Sequence, residues 1–113
     1  DAVPLKPLGT KMSDALVEMT SKGFGCVGII DSKGQIAGIV TDGDLRRHMG
    51  PDLMSAVVDE VMTKNPKTIG RDLLASEALE ILNSSKITAL IVTDANKPVG
   101  IVHLHDLLRA GVA

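Results

Sequence analysis

An α/β fold made of two similar copies, each ordered strand, helix, strand, strand, helix, is predicted for this 113-residue chain. The first observation is a repeat: GIVTDGDLRR, from Gly38 to Arg47, returns as GIVHLHDLLR from Gly100 to Arg109. The second is that MSDALVEMTSKGFGCVGIID aligns with ASEALEILNSSKITALIVTD, including the spacing of its apolar residues. The third is a composition of 44% hydrophobic and 23% charged residues, which is ordinary for a globular chain of this length.

The first helix of each copy is predicted from apolar residues at positions i, i+3, i+4 and i+7, which lie on one face of a helix. In the first copy these residues are Met12, Ala15, Leu16 and Met19, and in the second they are Ala75, Ala78, Leu79 and Leu82. Each set is expected to face a core.

Two strands follow each of these helices. They are CVGIID and IAGIVT in the first copy, and ALIVTD and VGIVH in the second. Short turns within each pair, at Asp31–Gly34 and Asp94–Pro98, predict hairpins. Because the strands are nearly continuous in apolar residues, we expect both of their faces to be buried. A last helix is expected near Gly43–Met49 in the first copy and near His105–Ala110 in the second.

The two copies are joined by SAVVDEVMTKNP, which is expected to form a connecting helix that Pro66 ends in extended chain. On this basis, residues 1–50 form the first copy, and residues 51–113 form the connecting helix and the second copy. A copy of roughly 60 residues is marginal by itself and leaves apolar sheet surface uncovered. The copies are therefore expected to pack against each other about a pseudo-twofold axis.

Charge and cysteine content limit the partners of the chain. The net charge of −2 and the lack of a long basic run argue against nucleic acid and against an anionic membrane surface. No apolar run in the sequence reaches membrane-spanning length. The single cysteine, Cys26, lies in an apolar run and indicates a buried thiol in a reducing compartment, the cytoplasm. Small ligands remain open as partners.

The polar turn that follows Gly38–Val40 carries residues with ligand chemistry. A strand that ends where a helix begins presents free backbone N–H groups, which favour a phosphate. Gly43 lets the backbone come close, Thr41 adds a hydroxyl donor, and Asp44 adds an ionised acceptor able to hold two neighbouring sugar hydroxyls. Asp44 could instead only cap its helix, as could Asp106 in the second copy, and Thr41 is a common strand residue.

The basic residues near the two turns also leave alternatives open. Arg46, Arg47 and Arg109 form a solvated helix face or reach a phosphate. His103 and His105 could bind a metal with Asp106, but a closed site needs about four ligands, and the sequence places no fourth. Solvated or ligand-facing imidazoles are therefore favoured, and no metal site is predicted.

No catalytic residue is predicted. The sequence has no nucleophile with an orienting base at readable spacing, no Cys–His signature and no Walker-type loop.

The segment EVMTKNPKTIGRDLLASEALEILNSSKITALIVTDANKPVGIVHLHDLL resembles a CBS domain, and the first half of the chain resembles its tandem partner without the opening DxMT-like segment. More narrowly, DALVEMTSKGFGCVGIID, GIVTDGDLRRHM and GIVHLHDLLRAGV resemble the C-terminal CBS pair of arabinose-5-phosphate isomerases, enzymes of Kdo and lipopolysaccharide or capsule synthesis. The resemblance implies that isomerase chemistry belongs to a preceding sugar-isomerase domain of a parent enzyme. The start DAVPLKPL, which has no initiator methionine, fits a fragment of such an enzyme.

In CBS domains the pattern G-h-x-T/S-x-x-D contacts nucleotides. It falls here on Gly38, Thr41 and Asp44, and again on Gly100 and Asp106, with His103 where threonine or serine is usual. A base would find no aromatic shelf, because the chain has no Trp and no Tyr. It is expected in an aliphatic slot near the strands beginning at Val3, Gly25 and Lys67. The full set of predicted ligand-binding residues is Thr41, Asp42, Gly43, Asp44, Gly25, Cys26, His103, His105 and Asp106.

The function implied by the resemblance is regulation of the parent enzyme by a nucleotide or nucleotide-sugar. CMP-Kdo, CMP, AMP and ATP are the candidate ligands, and no cofactor is required. The alternative is a ligand-free structural module that dimerises the parent. A homodimer through helices near Met12–Ser21 or Asp44–Met49 is expected from the same resemblance, and the chain alone is expected to have no isomerase activity.

Overall fold

The computed structural model describes residues 3–22, 25–73, 75–85 and 89–109, and it divides the chain into two compact units. The first unit is Asp1–Pro66 and the second is Lys67–Ala113. Both are α/β, as predicted, and each contains the predicted strand, helix, strand, strand and helix in that order. Within the described residues, no helix has the length and apolar character needed to cross a bilayer.

The first unit has a four-stranded sheet with strand order β1-β2-β3-β4. Its elements are β1 (Leu5–Pro7), α1 (Met12–Lys22), β2 (Cys26–Ile30), β3 (Ile36–Thr41), α2 (Asp42–Arg47), α3 (Val58–Val61) and β4 (Thr63–Lys64). Strands β1 and β2 are parallel, so the chain must cross back between them, and α1 makes that crossing. The pairs β2–β3 and β3–β4 are antiparallel. As a result, β1 and β2 begin at the same end of the sheet at which β3 finishes.

The core of the first unit contains the predicted face of α1. Met12 and Ala15 have no exposed surface, Met19 is buried, and Leu16 packs at the margin of the core. These residues pack together with Val27, Ile29, Val40, Leu53, Val58 and Val61. Burial of the first four residues of β2 agrees with the prediction that its two faces are covered.

The second unit repeats this plan with a three-stranded sheet in the order β5-β6-β7. Its elements are β5 (Thr68–Gly70), α4 (Ala75–Ser85), β6 (Ala89–Asp94), β7 (Lys97–His103) and α5 (Leu104–Arg109). Strands β5 and β6 are parallel, and β6 and β7 form the predicted hairpin. The core includes the predicted residues Ala78, Leu79 and Leu82 of α4, whereas the side chain of Ala75 lies outside the described part of the chain. Strand β7 is only half-buried, so the prediction of two covered faces is wrong for this strand.

The connection between the copies differs from the predicted helix. Only Val58–Val61 are helical, and the chain then forms the short strand β4, which pairs with Gly38 and Ile39 of β3. Pairing with β3 satisfies backbone groups that a longer helix would have bonded internally. Residues 51–66, grouped with the second copy on sequence, pack in the first unit, where Leu53, Val58 and Val61 are buried. Helix α2 ends at Arg47 rather than near Met49, and His48 is its C-cap.

Candidate functional site

The polar turn at the end of β3 begins α2 with a capping box. Thr41 is the N-cap, and its Oγ1 accepts a hydrogen bond from the backbone N–H of Asp44 at 3.3 Å. In return, Asp44 Oδ2 accepts from the backbone N–H of Thr41 at 2.9 Å and from Thr41 Oγ1 at 3.0 Å. Two backbone donors that the helix cannot satisfy internally are thereby paired. Asp44 therefore takes part in capping through Oδ2, but as the N3 residue of the capping box and not as the N-cap, which is Thr41.

The other carboxylate oxygen of Asp44 has partners outside the capping box. Oδ1 accepts from Thr63 Oγ1 of β4 at 2.7 Å and from the Arg47 guanidinium. An ionised carboxylate has about four acceptor sites, and these contacts occupy two on each oxygen. Asp44 is 1% exposed, and it is the one buried charged side chain among the described residues. We call Thr41, Asp44, Arg47 and Thr63 the Asp44 cluster.

Positive charge lies beside the backbone of Gly43. An ideal Cβ built on Gly43 would lie 3.4 Å from Arg47 Nη1 and 4.0 Å from Arg46 Nη2. The same position is 3.6 Å from Thr41 Oγ1. Both arginines are exposed, with the Arg47 side chain at 62%. Two guanidinium groups and a hydroxyl thus lie near one half-buried turn, an arrangement suited to an anion of phosphate size.

The start of β2 lies next to this turn. Cys26 is the Cα partner of Thr41 in the β2–β3 pair, so Gly25 and Cys26 adjoin Thr41 and Asp42. Gly25 has a φ of 73°, a conformation that favours glycine, and a Cβ there would lie 3.4 Å from Asp42 Oδ2. The structure therefore brings together the six site residues predicted in the first copy: Thr41, Asp42, Gly43, Asp44, Gly25 and Cys26.

Cys26 is an inert member of this group. Its side chain is 2% exposed, and burial, followed by the negative charge of Asp42, raises the pKa of the thiol to about 11. The thiol is therefore protonated at neutral pH and has little nucleophilic character. Cys26 can contribute its backbone and its apolar surface to a ligand.

The predicted residues of the second copy are only partly described. His103 is the last residue of β7, half-buried, and is the Cα partner of Ala89 just as Thr41 is the partner of Cys26. His105 and Asp106 lie in α5, and their side chains are outside the described part of the chain, as is the side chain of Arg109. The repeat thus places His103 where the first copy has its capping threonine.

Two residues near the site were not predicted from sequence. Thr63 donates to Asp44 from 19 positions away, and His48 Nδ1 lies 3.0 Å from the backbone oxygen of Asp44. Thr63 belongs to the EVMTKNP stretch that resembles the opening of a CBS domain. Its place in that motif was the one sequence signal that could have marked Thr63 as a site residue. Its contact with Asp44 depends on the pairing of β4 with β3, which the sequence pattern does not indicate.

The chain belongs to the CBS domain family, whose model matches residues 6–50 and 58–113. The second match begins at Val58, although α3 and β4 pack in the first unit. Among solved structures, the chain is similar to the CBS-domain containing protein ATU1752 from Agrobacterium tumefaciens, with a TM-score of 0.87 and 21% identity over 98% of this chain and 90% of that one. It is also similar to CBSX2 in complex with AMP, with a TM-score of 0.81 and 25% identity over 96% of this chain and 87% of that one.

The similarity extends to one particular class of enzyme. The chain is 49% identical over 115 residues to the arabinose 5-phosphate isomerase KdsD of Pseudomonas aeruginosa. This match covers 99% of the chain but 35% of that relative, so the chain spans about a third of the protein it resembles. The tandem CBS pair and its likeness to arabinose-5-phosphate isomerases agree with the resemblance seen in the sequence.

Proposed function

We propose that this chain is the regulatory CBS region of a cytoplasmic sugar-phosphate isomerase of Kdo and lipopolysaccharide synthesis, and that it binds a nucleotide or nucleotide-sugar. The 49% identity to a KdsD isomerase supports the choice of parent enzyme. The observation that carries ligand binding is that Thr41, Asp44 and two arginines lie around the half-buried backbone of Gly43. These groups match the hydroxyls and phosphate of a ribonucleotide in charge and in hydrogen-bonding character.

Each part of the nucleotide has a proposed partner in the first unit. The ribose hydroxyls donate to the Asp44 carboxylate, which can accept from two neighbouring hydroxyls. The phosphate lies near Gly43, beside the guanidinium groups of Arg46 and Arg47. The base lies against Gly25 and Cys26, where the glycine has no side chain and the thiol is apolar. His103, His105 and Asp106 are proposed for the corresponding role in the second copy.

The candidate ligands are AMP, ATP, CMP and CMP-Kdo. The AMP complex of CBSX2, a protein 25% identical to this chain, favours adenine nucleotides. The proposed pathway favours CMP-Kdo, because a downstream product is a sensible feedback ligand for an enzyme that supplies Kdo. All four ligands carry a ribose diol and a phosphate, so the Asp44 cluster does not distinguish them.

A specific observation favours a second candidate function, a structural module that dimerises the parent enzyme without a ligand. The four acceptor sites of Asp44 are filled by protein donors, as a purely structural aspartate requires. In addition, Leu16, Val17, Thr20 and Ser21 line a shallow apolar depression on the exposed face of α1. Such a surface suits contact with a second copy of the chain.

A thermal-shift screen with AMP, ATP, CMP and CMP-Kdo tests the proposal. A ligand that binds only the folded protein raises the free energy of unfolding, and therefore the Tm. The gain in free energy is about 2.7 kcal/mol when the ligand concentration is one hundred times Kd. A Tm that rises with the concentration of one of these compounds supports the regulatory function. Unchanged Tm values for all four at millimolar concentration would favour the structural module.

An activity assay tests the assignment of chemistry to the parent enzyme. Isomerisation needs an acid–base constellation, which we assign to the sugar-isomerase domain of that enzyme. The chain alone is therefore expected to leave ribulose 5-phosphate unconverted, while a full-length KdsD isomerase serves as the positive control. Conversion by the chain alone would refute this assignment.

A further inference from the structure

The two oxygens of the Asp44 carboxylate have different kinds of partners. Oδ2 accepts from the backbone and the side chain of Thr41, three residues away, within the capping box. Oδ1 accepts from Thr63, 19 residues away on β4, and from Arg47, whose side chain is largely exposed. A ligand hydroxyl has to displace one of these donors, because about four acceptor sites are available and all are in use.

A ligand hydroxyl can replace a protein donor more easily at Oδ1 of Asp44 than at Oδ2. Displacing Thr41 would leave the backbone N–H of a partly buried residue without its acceptor and would remove the helix cap. Thr63 and Arg47 are exposed, so water can satisfy their donors after they leave. The Arg47 guanidinium can also move to a phosphate, because Arg47 Nη1 already lies near Gly43.

We propose that Thr63 controls ligand affinity by occupying the acceptor site on Asp44 Oδ1 that a ribose hydroxyl must take. This inference rests on the proposed function, since it requires a ribonucleotide at Asp44. Thr63 is an internal competitor, and its hydrogen bond is broken when the nucleotide binds. The bound state therefore loses the bond that ties β4 to the beginning of α2.

The location of Thr63 gives this exchange a regulatory consequence. Thr63 and Lys64 pair with Ile39 and Gly38, and the second unit begins three residues later at Lys67. Ligand binding at Asp44 thus acts on the segment through which the chain leaves the first unit. A ligand can shift a conformational equilibrium only through a difference in its interactions with the two states. The exchange of Thr63 for a ribose hydroxyl supplies such a difference.

The test compares Thr63→Ala with Thr63→Ser by calorimetric titration with CMP and AMP. The alanine variant lacks the competing hydroxyl and leaves room for the ribose, so it should bind about three- to tenfold more tightly than the unmodified chain. The serine variant keeps the hydroxyl and should bind as the unmodified chain does. Titration with 2′,3′-dideoxy analogues of both nucleotides provides the ligand control, because without ribose hydroxyls the advantage of Thr63→Ala should disappear.

The outcomes separate this inference from the proposed function. Tighter binding of CMP or AMP by Thr63→Ala, with no gain for the dideoxy analogues, supports competition at Oδ1. If the unmodified chain binds a nucleotide and Thr63→Ala binds it equally or more weakly, the inference is overturned while the proposed function stands. If neither protein binds CMP or AMP, the inference is overturned together with the binding of these two nucleotides, and the thermal-shift screen with ATP and CMP-Kdo tests the proposed function separately.

Discussion

At the scale of single residues, Asp44 combines a structural and a proposed ligand-binding role. A buried carboxylate is costly unless hydrogen bonds and a positive charge compensate it. The four donors around Asp44 supply that compensation, and one of them carries the charge of Arg47. The capping box uses only Oδ2, and the donors at Oδ1 come from exposed side chains, so the contacts at Oδ1 are the feature through which a ligand can act.

Cys26 is expected to make the stability of the first unit fall with rising pH in the alkaline range. Its thiol has a pKa of about 11 in the folded protein against 9.0 as the ordinary value, because of burial and then Asp42. Between these values the unfolded chain loses the proton and the folded chain keeps it. The free energy of unfolding should therefore be unaffected by this group below pH 9 and should fall through about pH 11, by about 2–3 kcal/mol in all.

Urea denaturation at several pH values between 8 and 11 measures this effect. The Cys26→Ala variant is the matched control, because it keeps every other titrating group and lacks the thiol. Its stability should fall less steeply with pH than that of the unmodified chain. Parallel curves for the two proteins would show that the thiol does not titrate as described.

At the scale of elements, β4 is the part of the fold that the sequence did not predict. It has only two residues, both exposed, and therefore no apolar alternation that could indicate a strand. Its position depends on β3, where Gly38 leaves space for Met62. The helices α1 and α4 and the two hairpins were predictable because their apolar periodicity and turn residues are local features. The Asp44–Thr63 contact was not, because it joins residues that only tertiary pairing brings together.

Gly38 and Gly100 form a matched pair that tests the packing of β4. A Cβ on Gly38 would clash with Met62 Sδ and would lie 2.9 Å from Met62 Cγ and 3.0 Å from the backbone oxygen of Thr63. Gly38→Ala should therefore destabilise the first unit by about 1–3 kcal/mol. At Gly100 the nearest atom to such a Cβ is Val92 Cβ at 3.6 Å, an ordinary contact.

Gly100→Ala should consequently be neutral or stabilising by up to about 1 kcal/mol. Chemical denaturation of both variants measures the difference, and amide exchange shows where the loss occurs. Equal effects of the two substitutions would mean that Met62 does not pack over Gly38 in solution.

At the scale of the whole molecule, we propose a homodimer that forms through the exposed face of α1. Val17 is 67% exposed and borders the apolar depression with Leu16. Light scattering should give twice the monomer mass, and Val17→Glu should shift the mass to that of one chain. Val99→Glu is the control, because Val99 is an exposed apolar residue of β7 at 41% exposure. A monomeric mass for the unmodified chain at high concentration would contradict this proposal.

The sequence predicted which residues meet at the site better than it predicted the hydrogen bonds among them. The six residues predicted in the first copy meet at one edge of the sheet because the repeat identified both the β2 start and the β3 end. The burial of Asp44 and the saturation of its acceptor sites could not be predicted, because they depend on where Arg47 and Thr63 lie in the folded chain. For the same reason, ligand identity does not follow from the motif alone.

The most direct test of the central claim is a calorimetric titration of the unmodified chain and of Asp44→Asn with AMP, ATP, CMP and CMP-Kdo, alongside the Tm of each protein. Asparagine keeps one side-chain oxygen that can accept from the Thr41 backbone N–H in the capping box, but it gives up the carboxylate that would accept two ribose hydroxyls. Charge-assisted hydrogen bonds contribute roughly 1.5–3 kcal/mol each, so the affinity of Asp44→Asn for the bound nucleotide should fall by at least about tenfold. If Asp44→Asn remains folded and binds every one of these nucleotides as tightly as the unmodified chain does, Asp44 is a helix cap only and the account is wrong.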